Sequence, residues 1–484
     1  MRNVQTLSLG VPILMVAFAS LPAAAQRGAQ VAVAAADHAG NPGRPESAGG
    51  PSSNAAFWEV LNDPTLSRLL DEALRGNLEL HAASARLDGA GASRTEAALE
   101  LAPIVTAGAS YTRRRLSSAS FPGVGAGVGA AALPDQDLWD SGLRASWELD
   151  LFGRLRGGLR ARNALLGSAG EEVRDAEVSV AADVARAYFD LRGAQGQLAV
   201  ARRNAENQRR TLELTKTRLD AGRGTAFDTE RARAQLSSTL AAIPALEARV
   251  AAMQNRIAVL VGRAPRELAA DVAAEGALPE FPDSVPGGDP ADVVRTRPDV
   301  LGAEGRLAAS RSLVSSARAD YLPRLSLAAS AGYLASTMNS FGGTGTFNYT
   351  FGPVVSWPAF DLGRVKARVD VAQAQELEAR ARYEQVVLLA QEELETASVR
   401  YRTARARLGH LREAAAASER AASLARLRYE GGVADFLQVL DAERTLLAVQ
   451  DQLAQAQTEV ADAYVALSRA RAAGWRTAEP MRRR

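Results

Sequence analysis

The 484-residue chain contains no cysteine, which excludes disulfides, thiolate metal sites and cysteine nucleophiles. Its only lysines are Lys216 and Lys366, and its histidines, His38, His81 and His410, lie far apart in sequence. No phosphate-cradling glycine loop and no zinc-ligand spacing is present. The paired carboxylates Glu171-Glu172 and Glu392-Glu393 fall in stretches that read as regular helix, where solvated charge is expected. The chain therefore reads as a non-enzyme that needs no cofactor and no metal. Charge of one sign is also scarce: the net charge is +2, with basic residues interleaved among acids, which argues against nucleic acid as a partner. Beyond the N-terminus no apolar run approaches the roughly 20 residues of a membrane-spanning helix, so any membrane segment has to be β.

What is present begins with Arg2, an apolar run from Leu7 to Ala19, and Ala23-Ala24-Ala25 before Gln26. This pattern reads as a secretory signal peptide over residues 1–25, and hence as an exported protein. Residues 26–54, rich in Ala, Gly, Pro and Ser without periodicity, read as a flexible leader. With 47% hydrophobic residues the remainder has ample material for a core.

That remainder follows one plan twice. Arg86-Leu87 and Pro103 recur as Arg306-Leu307 and Pro323 at a spacing of 220, whereas Ser146-Trp147 and Gly153-Arg154 recur as Ser356-Trp357 and Gly363-Arg364 at a spacing of 210. Ten extra residues thus lie between about Tyr111 and Trp139, around the glycine-rich stretch Phe121–Ala130, as an exposed loop tip tolerates. The first copy covers 55–262 with a β-hairpin at about 103–150, and the second covers 299–475 with a hairpin at about 323–360. Between them, 263–298 carries Pro265, Pro279, Pro282, Pro286, Pro290 and Pro298 and reads as a non-helical connection around the outside of the bundle. Residues 476–484 form a basic tail.

The segments flanking each loop alternate with period 2, and their odd-numbered faces are apolar. Trp139, Leu143, Ala145, Trp147 and Leu149 oppose Asp140, Gly142, Arg144, Ser146 and Glu148; Phe347, Tyr349, Phe351, Val355 and Trp357 oppose Asn348, Thr350, Gly352 and Ser356. The leading strands follow more weakly, through Val105, Ala107, Ala109 and Tyr111, and through Leu325, Leu327, Ala329, Ala331 and Tyr333. Two structures fit such alternation: a half-buried hairpin on a soluble core, or outer-membrane barrel strands, which the aromatics near the strand ends favour. In the second case Tyr111, Trp139, Trp147, Tyr333, Phe347, Tyr349, Phe351 and Trp357 face lipid. Four strands cannot close a barrel, since the smallest bacterial ones have about 8, so several chains must then share one.

Each hairpin runs into a long helical stretch, about Arg154 to Asp220 and about Arg364 to Glu430, with no proline in either. Some 67 helical residues would reach on the order of 100 Å. Spacings such as Leu198, Ala201, Ala205, Leu212, Leu219 and Leu408, Leu411, Ala415, Leu424, Leu427 suit helices packed side by side. Glycine-bearing turns near 221–228 and 430–436 reverse the chain into return helices, about Asp228–Val261 and Asp435–Ala472.

This order resembles the TolC-like outer-membrane factors over nearly the whole mature length. Two segments make the resemblance specific to the branch that partners resistance-nodulation-division pumps, the OprM/NodT-like branch. One is Arg295-Thr-Arg-Pro-Asp-Val-Leu-Gly-Ala-Glu304 with Tyr321-Leu-Pro-Arg-Leu-Ser326. The other is Arg428-Tyr-Glu-Gly-Gly-Val-Ala-Asp-Phe-Leu-Gln-Val-Leu-Asp-Ala-Glu-Arg444. The resemblance implies a mixed, mainly α fold: a long helical tunnel joined to a transmembrane antiparallel β-barrel shared between protomers, with a two-fold internal repeat. It also implies a homotrimer in the outer membrane with a long periplasmic extension, acting as the passive duct of a tripartite efflux pump beside a periplasmic adaptor and an inner-membrane pump. Many members of the branch carry an acylated cysteine after the signal sequence; here Gln26 stands there, which rules out that anchor.

In that family the closed periplasmic end is held by links at the glycine turns. The matching positions here are Asp220, Arg223 and Asp228 in the first copy and Arg428, Tyr429, Glu430, Asp435 and Asp441 in the second, with Arg223 as the expected counter-charge. Rings of such carboxylates would favour cations. The same residue types also serve as helix caps and solvated charges. A carboxylate of some relatives falls at Gln438 and a tip arginine of others at Ala434, so the lock differs in detail. Two further readings stay open: a non-membrane periplasmic coiled-coil scaffold, and a type I polypeptide secretion duct.

Overall fold

The computed structural model describes residues 58, 60–115, 135–268, 272, 276–283 and 289–472. The expected signal peptide, leader, Phe121–Ala130 insertion and basic tail, with Pro286 of the connection, lie outside the described residues. The described residues belong to one unit, Ser53–Arg484.

The chain enters through α1 (Pro64–Gly76). Asp63 caps it, its Oδ1 accepting from Thr65 N at 2.9 Å and Leu66 N at 3.0 Å, while Pro64 occupies a position that has no intrahelical donor to lose. Leu66, Leu69, Leu70 and Ala73 recur at helical spacing and are buried. Asn77 then works for two helices, since its backbone N–H closes α1 and its Oδ1 accepts from Glu79 N and Leu80 N at the start of α2 (Leu78–Leu99).

After α2 come β1 (Ile104–Arg114) and β2 (Gln136–Leu149), then α3 (Arg154–Asp220) and α4 (Ala226–Leu260). Two short helices, α5 (Pro265–Leu268) and α6 (Pro290–Arg295), punctuate the proline-rich connection. There follow α7 (Pro298–Ala319), β3 (Arg324–Ala335), a 3-10 turn at Met338–Ser340, β4 (Phe347–Ser356), α8 (Leu362–Glu430) and α9 (Phe436–Ala470). Among the described residues no helix is long and apolar enough to cross a membrane.

The 67-residue α3 is the hub, packing against α1, α2, α4, α7 and α9. Close approach depends on glycine: a Cβ at Gly157 would stand 3.0 Å from Ser316 Cβ on α7, and one at Gly193 would collide with Thr458 on α9. Pro244 sits inside α4 and the helix continues through it, although proline cannot donate to the Leu240 carbonyl.

The main core lies where α1, α3, α4, α8 and α9 converge with the connection. Tyr188, Phe189, Leu191, Ile257, Val272, Tyr464 and Val465 are almost wholly buried there, and Phe281 of the connection stacks on Phe189 and Tyr464 at centroid distances of 5.3 and 5.2 Å. Tyr188 donates to Asp63 Oδ2 at 2.6 Å, and burial together with that carboxylate pushes its phenol up to about 12.

The four strands form one antiparallel sheet in the order β1-β2-β3-β4. Opposed pairs run Tyr111–Trp139–Ala335, Ala107–Leu143–Ala331–Tyr349 and Val105–Ala145–Ala329–Phe351. Residues directly opposite share a face, so the odd-numbered sides of all four strands lie on one side of the sheet. Ser141 and, at the loop end, Arg113 and Asp137 are polar exceptions on that side; Ile104, Leu138, Leu334 and Val354 are apolar exceptions on the other.

Candidate functional site

At the membrane-type end, the aromatic residues are exposed on the apolar face: Tyr111, Trp147, Tyr333, Phe347 and Trp357 by 38–58% and Tyr349 and Phe351 by 74% and 73%. Trp139 is half-buried against the Tyr111 ring, 4.5 Å away. Two tryptophans anchor the sheet to its helices in the same manner. Trp147 Nε1 donates to the Leu101 carbonyl at 2.8 Å and Trp357 Nε1 to the Tyr321 carbonyl at 3.0 Å, each two residues before a proline that opens a strand. The indole satisfies its one donor and keeps its ring outward, as suits a side chain apolar at one end and polar at the other.

The opposite end is built from two tips of identical construction. Gly222 (φ 69°) and Gly432 (φ 74°) take the left-handed conformation after α3 and α8. Their N–H groups donate to the Leu219 and Tyr429 carbonyls, both at 2.9 Å, and those of Arg223 and Val433 donate back to Arg218 at 2.8 Å and Arg428 at 2.9 Å. This pairing satisfies carbonyls that a helix end leaves open. Three residues on, Thr225 caps α4 by accepting from Asp228 N, and Asp435 caps α9 by accepting from Gln438 N.

Of the residues expected at this site, Asp228 is bound within its own cap, accepting from Thr225 Oγ1 at 2.7 Å, and Asp435 is itself a cap. The side chains of Asp220, Arg223, Arg428 and Asp441 are exposed and make no described side-chain bond within the chain. Tyr429 is buried and packs on Phe436 with centroids 5.7 Å apart. Arg218, which the sequence reading did not single out, is a side chain that joins the two tips within one chain. Its Nη2 donates to the Tyr429 carbonyl at 2.6 Å and the Glu430 carbonyl at 3.0 Å, and its guanidinium lies 4.0 Å from the Tyr429 ring centroid. It thus places a cation on the carbonyls that end α8, where the helix dipole is negative.

Above the tips, the line of contact between α3 and α9 is polar. Asn204 Nδ2 donates to Gln450 Oε1 at 3.1 Å, and buried Glu443 Oε1 accepts from Thr211 Oγ1 at 3.1 Å and from Arg426 Nε at 2.9 Å. Gln208 is 4% exposed, and neither end of its amide has a partner. With Thr215 and Arg218 these α3 residues follow spacings of 4 and 3, one heptad row beside the apolar row of Leu198, Ala205 and Leu212. That alternation was the available sequence signal for this seam. On α8 the correspondence fails at Leu424 and Leu427, which are 59% and 64% exposed.

The Arg297-Pro298-Asp299 segment has a definite task at the other end of this seam. Arg297, almost wholly buried, binds Asp299 at 2.8 Å, Glu393 of α8 at 2.7 Å and, through Nη1, the Ala470 carbonyl ending α9 at 2.9 Å. One guanidinium thereby ties the start of α7 to both arms of the second helical pair. Further along α3, burial pushes the Glu177 carboxyl up to about 7, with Arg174 opposing it. No group of residues suited to hold a metal ion occurs among the described residues.

The sequence pattern of the outer membrane efflux protein family matches residues 69–263 and again 291–473. Nodulation protein T of Rhizobium leguminosarum bv. trifolii is 30% identical over 439 residues, covering 89% of this chain and 91% of that protein. The solvent efflux pump outer membrane protein SrpC of Pseudomonas putida is 30% identical over 419 residues, covering 86% of this chain and 87% of that protein. Among solved structures, the outer-membrane channel OprN matches with a TM-score of 0.82 at 40% identity, over 87% of this chain and 94% of that one.

Proposed function

Because the chain belongs to the outer membrane efflux protein family, we propose that it is the outer-membrane channel of a tripartite efflux pump. In this reading it is a passive exit duct for small molecules that an inner-membrane resistance-nodulation-division pump and a periplasmic adaptor deliver. Members of the family are ducts and not enzymes.

The observation that carries the reading is the register of the sheet. It turns four apolar faces to one side, with Tyr349 and Phe351 about three-quarters exposed, and leaves β1 and β4 as long edges without a neighbouring strand among the described residues. Such edges recruit other strands, and a barrel removes them by closure. Pairing β1 of one copy with β4 of the next, around a homotrimer, would complete a barrel with lipid on its apolar face and water inside. Exposed Leu424 and Leu427 would then meet a neighbouring copy, and α3 would extend about 100 Å into the periplasm.

The gate is assigned to the tips. Asp220, Arg223, Arg428 and Asp441, exposed and without a side-chain bond among the described residues, are available to bind neighbouring copies, as are the carboxylates of Asp228 and Asp435 at the helix caps. Arg218 and Tyr429 hold the two tips of one copy together. The decisive experiment is fractionation of the mature protein. Recovery in the outer membrane as heat-modifiable trimers is expected; a freely soluble monomer that never enters bilayers would leave a periplasmic scaffold as the function.

A further inference from the structure

The polar face of the sheet is nearly level. In its middle rows it carries Thr106, Gly108 and Ser110 on β1, Ser330 and Gly332 on β3, and Asn348 and Thr350 on β4, all short and uncharged. The exceptions are Leu334 on β3, long but apolar, and the two charged residues Asp140 and Arg144 on β2, either side of Gly142. Arg144 Nη2 donates to Asp140 Oδ1 at 3.2 Å, and the two side chains are 62% and 35% exposed, so the cation is presented further into solvent than its partner. The guanidinium does not stand upright. A Cβ on Gly108 would lie 3.3 Å from Arg144 Nη1, so the arginine rests across the β1 backbone in the space a side chain there would fill. The remaining charged groups of this face sit near its ends, where Glu148 is bound to Arg154 and Arg324 to Asp320, and where Arg114 ends β1.

We propose that Arg144, held by Asp140 and seated on Gly108, sets the charge preference of the barrel lumen, drawing anionic solutes and amphiphiles bearing an acidic group and retarding cations. The inference rests on the reading that this face lines a water-filled lumen shared by several copies. Each copy would then place one guanidinium at the same depth, about 17 Å of strand from the periplasmic end of β2. Rings of like charge at one level of a pore act on every ion that passes. The preference is opposite in sign to that of carboxylate rings at the tips, so the barrel and the gate would impose separate requirements on a cargo.

The absence of cysteine makes the test direct, because one introduced thiol is unambiguous. Ser330→Cys places it opposite Arg144 in the register. Membrane-impermeant methanethiosulfonates carrying a sulfonate or a trimethylammonium group, added from outside cells, reach it without passing the tips. The ratio of anionic to cationic labelling rates cancels the intrinsic reactivity of the thiol. Arg144→Gln should lower that ratio about five-fold at low salt, the size expected for one unit charge about 8 Å away in a water-like dielectric, and Asp140→Asn should raise it. Equal ratios in the three backgrounds would overturn the proposal. Leu143→Cys, on the opposite face, should react with neither reagent. If Leu143→Cys reacts and Ser330→Cys does not, the sheet presents its apolar side to water, and the channel reading itself fails.

Discussion

Replacing Arg218 by alanine removes a charged side chain that spans the two tips of a protomer. Its two bonds to the Tyr429 and Glu430 carbonyls, at 2.6 and 3.0 Å, are charge-assisted and half-buried, worth about 1.5 kcal/mol each. The guanidinium over the Tyr429 ring adds about 1 kcal/mol. Water recovers part of this when the tips separate, and a freed arginine regains rotamer entropy, which leaves a net of about 2–3 kcal/mol. That is roughly a 30- to 150-fold shift in the equilibrium between joined and parted tips. In a planar bilayer, purified Arg218→Ala should show a higher mean conductance than the parent protein and more frequent full openings. Arg218→Lys should fall between, since it keeps a cation at the end of α8 but loses the planar stack and the fork. If Arg218→Ala matches the parent while the double replacement Asp228→Ala and Asp435→Ala opens the channel, closure resides between copies and the assignment to Arg218 is wrong.

Gln208→Leu replaces a buried amide without partners by an apolar side chain of similar volume, and should raise stability by about 1–2 kcal/mol. A higher melting temperature is the expected result; a lower one would mean the amide is satisfied by water in the working protein. Arg297→Ala leaves Glu393, Asp299 and the Ala470 carbonyl without their shared donor, and should cost about 3 kcal/mol in thermal unfolding, of which Arg297→Lys restores only part. Glu177 is raised to about 7 in the folded chain. A raised carboxyl favours the folded state below its unfolded value near 4.5, and this contribution is lost as pH climbs through about 7. Glu177→Gln should therefore stabilise by about 1–2 kcal/mol at pH 8 and have little effect at pH 4, measured as paired melting curves; an equal effect at both would show that the carboxyl is not desolvated.

Where a feature depends on neighbours in the chain, the amino-acid sequence was enough to read it. The ends of α3 at Arg154 and Asp220, the turns at Gly222 and Gly432 and the apolar alternation of each strand follow from capping, left-handed glycine and the two-residue period of a strand, all settled within a few residues. Features that join distant segments were decided by packing. Alternation told which residues of a strand share a side, but only the register of Trp147 on Leu327 and Leu327 on Pro353 brought the apolar sides of neighbouring strands together. Arg218 was not among the tip residues that the sequence singled out; the rotation of α3 against α8 turns it to the carbonyls that end the other helix. Pro244 stays helical because α4 is held along α3, and Leu424 and Leu427, apolar at helical spacing, lie outside the packed side of α8. Local rules set what each segment can be, whereas the partners of a long side chain two hundred residues away exist only once the helices have met.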